Sequence, residues 1–141
     1  MDFAGRMQRE VSELHRFFEH WFNGSLAKTD QQFARLRRSW QEPFALRDPS
    51  GELLSATRLV DEVHSQHGAF PGLRIEVGEF KVSTPTDGPP GLVGYEERHS
   101  DGNAIDRRLC VARFIEDDAA PNGVRWISLD ETRTGESSGA P

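Results

Sequence analysis

Four charged residues fall on neighbouring stretches of alternating sequence: Glu97 in YEERHSDG, Arg108 in RRLCVARF, and Glu131 and Arg133 in GVRWISLDETR. On adjoining strands they would form a charged ring, able to orient a ligand carboxylate or amine, or simply to pair across strands. The last stretch splits into Trp126, Ser128, Asp130 and Thr132 on one side and Ile127, Leu129, Glu131 and Arg133 on the other, so neither side reads as plain core or plain surface. His15 follows Leu14 and precedes Phe18 by three, beside an apolar stripe. There it is either a base near neutral pH or a satisfied core histidine. Asp48 opens DPSG, whose Asp, Pro and Gly stand where a type I turn favours them, with the carboxylate free to bond its own backbone two residues on. His64 and His67 are spaced i, i+3, but no third ligand follows at a recognisable spacing, so no metal is expected. Cys110 lacks an evident base and reads as a small core residue; as the single cysteine it excludes an internal disulfide and a cysteine zinc cluster.

These residues need elements to position them. From Met7 to Asn23, Val11, Leu14, Phe18, Trp21 and Phe22 recur at helical spacing, and Gly24 is a stop signal. Thr29 or Asp30 caps a second, shorter helix with Phe33, Leu36 and Trp40 on one face and Pro43 beyond its end. Phe44 to Leu46 is a short extended stretch before the DPSG turn. Ser55 caps a third helix that turns Leu59, Val60 and Val63 inward and closes at Gly68 and Pro71. The period then changes to two. Strands are expected over Leu73–Val82, Leu92–Ser100, Ile105–Glu116 and Val124–Arg133, joined by TPTDGPPG, the hairpin signal SDGN, and DDAAPNG. Helices first and strands afterwards predict an α+β fold with helices on one face of an antiparallel sheet. The third strand is partly apolar on both faces, with Leu109, Val111 and Ile115 on one and Cys110, Ala112 and Phe114 on the other. A second copy covering the outer face, as an isologous homodimer, would account for that.

The 141 residues predict a single domain over 1–141, ordered over about 7–134, with 135–141 a flexible tail. With 23 acidic and 17 basic residues and a formal charge of −6, the chain has no net attraction for phosphate backbones or anionic lipid, so no nucleic acid and no membrane is expected as a partner. No apolar run approaches the roughly 20 residues of a membrane helix. Met1 is followed by charged residues rather than an apolar leader, which predicts a cytoplasmic protein.

In this order of elements the chain resembles the nuclear transport factor 2-like superfamily, in particular its SnoaL-like and uncharacterised branches, over about Val11 to Thr134. The likeness is carried by FNGS, FALRDPSG, HSQHGAFPGLRIEV, YEERHSDG, RRLCVARF and GVRWISLDET. It implies a cone: three N-terminal helices on a strongly curved, mainly antiparallel sheet enclosing a pocket, with dimerisation through the outer sheet face. The last strand is similar to that of the association domain of calcium/calmodulin-dependent kinase II, and Arg133 matches an Arg that lines the cavity there. Strand parity from Arg133 then puts Ile127, Leu129 and Glu131 in the pocket and leaves Trp126 on the outer, dimer-facing side. The same parity turns Tyr95, Glu97 and His99 inward on the second strand, and Arg108, Cys110 and Phe114 inward on the third.

FALRDPSG resembles the stretch around the general-base aspartate of ketosteroid isomerase, which implies Asp48 as a base beside an apolar cavity, with Tyr95 or His15 as acid. At the positions matching that enzyme's oxyanion donors stand Phe18 and Cys110, so its familiar chemistry is not expected. The resulting expectation is a protein binding a small, partly apolar molecule in a conical cavity, without an assigned reaction. Phe18, Trp21, Phe22, Glu97, His99, Arg108, Cys110, Phe114, Ile127, Leu129, Glu131 and Arg133 would line it. The alternatives are a cofactor-free isomerase, cyclase or dehydratase using Asp48, and a dimeric interaction module whose sheet face matters. No cofactor is implied in any of the three.

Overall fold

A computed structural model of the chain describes residues 1–85, 90–102 and 104–134. Part of the expected TPTDGPPG loop, the Asn of SDGN and the expected flexible tail over 135–141 lie outside the described residues. Helix α1 spans Phe3–Phe22, four residues longer at its start than the spacing predicts. Asp2 caps it, accepting the Gly5 N–H at 2.8 Å. The added turn lays Phe3 and Met7 on Gly91, where a Cβ would meet the Met7 sulfur at 2.6 Å. Helix α2, Asp30–Ser39, is capped by Thr29, and helix α3, Ala56–Ser65, by Ser55, each hydroxyl accepting from the backbone three residues on.

The strands are β1 (Ala45–Arg47), β2 (Leu53–Ser55), β3 (Arg74–Ser83), β4 (Gly91–Asp101), β5 (Ala104–Glu116) and β6 (Val124–Arg133). They form one sheet in the order β2-β1-β6-β5-β4-β3, antiparallel throughout except that β1 runs parallel to β6. This is the α+β, mainly antiparallel architecture expected, with the helices on the concave side. Two register shifts mark bulges: in β3 between Gly78 and Lys81, with Glu79 at φ 55°, and in β6 opposite Arg113 and Phe114, where Ser128 and Trp126 pair and Ile127 is passed over.

The β6 bulge decides where Trp126 goes. Parity from Arg133 holds down to Leu129, the extra residue reverses it, and Trp126 turns into the core at 2% exposure. Its ring packs on Phe114, Phe44 and Trp40, and its Nε1 donates to Glu10 at 3.0 Å. Trp126 is therefore not part of the outer, dimer-facing side, and Ile127 sits in the bulge off the cavity wall. Glu10, wholly buried, also accepts from Arg35 at 2.7 Å, Ser39 at 2.9 Å and Asn122 at 2.9 Å. One satisfied carboxylate thus ties α1 to α2, to β6 and to the turn before it, which is how a buried charge becomes tolerable.

Candidate functional site

The strand register turns the sequence into a gradient of polarity. Across β4, β5 and β6 the inward positions form rows: Phe114 with Trp126; Val93, Ala112 and Leu129; Tyr95, Cys110 and Glu131; Glu97, Arg108 and Arg133; and His99 with Asp106. The first two rows pack under the helices as solid core. Beyond them a cavity of about 840 Å³ opens between α1, α3 and the sheet. Phe18, Phe22, Leu59, Val63, Phe70 and Leu73 are among its apolar walls, Glu97, His99, Arg108, Glu131 and Arg133 form its charged end, and the Asp48–Ser50 turn lies at its rim.

The charged end is an ordered network. His15 Nδ1 is 2.8 Å from the Val11 carbonyl and Nε2 is 2.9 Å from Glu97 Oε2, so both ring nitrogens face acceptors, an arrangement that favours the doubly protonated ring. Burial alone would lower the His15 pKa; the adjoining Glu97 carboxylate outweighs it and holds the ring above its ordinary value. Burial would likewise raise Glu97, but the charge and hydrogen bond of His15, with His99, hold that carboxyl far below the carboxylate range. His99 Nε2 lies 3.2 Å from the same Glu97 oxygen, close enough for ionic attraction but off the hydrogen-bond line. Glu131 is pushed the other way, upward by burial and by the charge of Glu97, with Arg108 at 2.8 Å offsetting part of the rise. Arg108 also reaches Asp106 at 3.2 Å, and Arg133 approaches Asp106 at 3.4 Å.

Asp48 does not stand as a proton carrier. Its Oδ1 accepts from the Ser50 hydroxyl at 2.6 Å and from the Ser50 and Glu52 N–H groups at 2.9 and 3.0 Å. The Ser50 hydrogen bond and these backbone donors lower its pKa, the opposite of what a general base near neutrality needs. Of the other residues expected at the site, Trp21, Phe114 and Leu129 are core and Cys110 is 2% exposed, its sulfur 4.0 Å from Glu97. Burial first, then the neighbouring carboxylates, raise the thiol pKa, so Cys110 stays a protonated thiol. Tyr95 lies beneath the wall, 3% exposed, its hydroxyl 3.5 Å from His15 Nε2, and burial holds it neutral. The group that sequence reasoning passed over is Asp106, whose only signal is its place two residues before Arg108 on an alternating strand.

No family model matches the sequence, and no curated protein matches it. Solved structures do. An NTF2-like protein of unknown function from Pseudomonas aeruginosa is 26% identical, superposes with a TM-score of 0.80 and aligns over 92% of this chain and 99% of its own. The chain's fold is that of the nuclear transport factor 2-like superfamily. The same NTF2-like fold, at 10% identity and a TM-score of 0.73, is seen in the S. rosetta CaMKII hub, over 95% of this chain and 98% of the other. A candidate dehydratase of the NTF2-like family from Streptomyces avermitilis shares it at 9% identity and a TM-score of 0.64, over 92% and 95%. In this chain the concave face of that fold carries the charged network, and among the described residues no helix is long and apolar enough to cross a membrane.

Proposed function

We propose that the protein binds a small, uncharged and largely apolar molecule in the cone, its polar end meeting Arg108, Glu131 and His99. The observation that carries this reading is the cavity itself: about 840 Å³, walled by aromatic and aliphatic side chains, with directed polar groups gathered at one end. Charge balance supports an uncharged ligand. Glu97, Glu131 and Asp106 stand against the His15 imidazolium, Arg108 and Arg133, each already paired, so a full ligand charge would meet no spare counter-ion. The test is a crystal structure of protein purified without added ligand. Density in the cone touching Arg108 or Glu131 is the expected result; a cone closed by Phe18 and Phe22, with Glu131 and Arg133 turned to solvent, would overturn the reading.

We also propose a homodimer through the convex sheet face. On β5 that face carries Ile105, Leu109 and Val111, exposed at 55, 53 and 37%. They are flanked by the ion pair of Arg113 with Asp130. An apolar stripe between charges is the pattern of an interface core with its rim.

A further inference from the structure

We propose that the protein has a second binding site, outside the cone, that takes a short extended peptide carrying both an ammonium and a carboxylate group. Its place is a cavity of about 580 Å³ between α1 and the edge strand β3. Only Ile75 is common to the linings of this cavity and the cone, and the buried pair of His15 with Glu97 joins the two walls, His15 lining this cavity and Glu97 the cone. The site therefore does not depend on the binding reading above.

Three observations carry the proposal. First, β3 has free backbone groups that face this space. It ends the sheet and pairs only with β4. The Ile75 N–H donates to Glu19 Oε1 at 2.7 Å, so it points off the edge and away from β4. Residues of an antiparallel pair alternate between bonding across the ladder and facing outward, so the Val77 N–H and C=O, two residues on, also point off the edge. Val77 lines the cavity, and no hydrogen bond off the edge takes its backbone groups among the described residues. Second, charges of both signs line the cavity without partners. Arg16 on α1 and Glu79 in the β3 bulge make no hydrogen bond or ion pair among the described residues. Their neighbours are engaged: Glu19 with Ile75, and Arg98 with Glu76 and Glu96 at 3.8 and 3.5 Å. Third, the bulge limits the length of an added strand. The ladder slips between Gly78 and Lys81, with Glu79 at φ 55°, so the regular free edge runs only over Ile75–Gly78. That admits about two or three residues of partner chain.

A cluster of carboxylates alone would call for a cation. Here an unpaired guanidinium, an unpaired carboxylate and a free rung of backbone face one space, and a short zwitterionic peptide satisfies all of them together. Its main chain adds to β3 at Val77, its carboxylate meets Arg16, and its ammonium meets Glu79.

The test is a nuclear magnetic resonance titration of nitrogen-15-labelled protein with triglycine, and with two forms that each lack one charge, N-acetyltriglycine and triglycinamide. In the free protein the Val77 amide should exchange with solvent faster than those of Glu76 and Gly78, which face β4. Triglycine should shift the Arg16, Val77 and Gly78 amide resonances saturably and slow exchange at Val77. Each blocked peptide should bind about threefold or more weakly, the size of a solvent-exposed charge pair. Arg16→Gln should remove the difference between triglycine and triglycinamide, and Glu79→Gln the difference between triglycine and N-acetyltriglycine; a merely structural role for either residue would give no such selectivity. Absence of saturable shifts at these amides, shifts confined to residues of the cone, or equal affinity for the three peptides would overturn the proposal. None of these results would touch the cone reading, which rests on other residues and an apolar ligand.

Discussion

Glu97 is a buried carboxylate that two imidazoles keep ionised, and its consequences are measurable without a ligand. Below the ordinary histidine value of 6.5, His15 carries its proton folded or unfolded, so its contribution is complete; it fades as pH rises through the elevated folded value. Glu97 behaves oppositely, contributing fully above its ordinary value of 4.5 and less on acidification toward its depressed one. The pair therefore stabilises most between those two values. His15→Gln should cost about 3–5 kcal/mol there, as loss of one partner from a buried pair does, and the difference from wild type should shrink as pH rises above 6.5 through the elevated folded value. Urea denaturation across pH checks this, and a pH-independent difference would contradict the charged assignment. Asp48 makes a contrasting case. Its bonds to Ser50 and Glu52 predict that Asp48→Ala lowers the melting temperature by loosening the β1–β2 turn, while affinity for a ligand in the cone is retained.

At the scale of elements, the β6 bulge and the Glu10 network do the work. Trp126→Ala should destabilise by about 3–5 kcal/mol, because it empties a fully packed site and orphans a Glu10 bond. Sedimentation of the variant should still report the parent's oligomeric state, since the ring does not reach the convex face. The bulge also explains what the sequence could and could not reveal. Helices were legible because their stripes and the caps Thr29 and Ser55 are local signals. The alternation of GVRWISLDETR runs unbroken through the bulge; what turns Trp126 inward is Glu10, Trp40 and Phe44, distant in sequence and invisible to a parity count. Glu131 and Arg133, and Glu97 and Arg108 on the neighbouring strands, lie beyond the irregularity, so their inward direction was legible. Strands β1 and β2 are three residues each, too short for a period to show, and the parallel pairing of β1 with β6 has no local signature. Asp48 was read from a likeness of FALRDPSG, but the same Asp-Pro-x-Gly chemistry makes a turn in any fold.

Over the whole molecule, the concave and convex faces of one sheet would have separate tasks. The apolar stripe of Ile105, Leu109 and Val111 predicts that Leu109→Arg halves the mass measured by sedimentation equilibrium while leaving the cone intact; a parent protein already monomeric at high concentration would contradict the dimer. The cone carries the central claim, and one titration tests it most directly. The uncharged fluorophore N-phenyl-1-naphthylamine is added to wild type and to two variants that fill the apolar wall, Leu59→Trp and Val63→Phe, each first shown to be folded by circular dichroism. The predicted result is a saturable fluorescence rise with one site per chain in wild type, weakened by about tenfold or more when the wall is filled. No saturable rise, or an equal one in the filled variants, would contradict a ligand-binding cone.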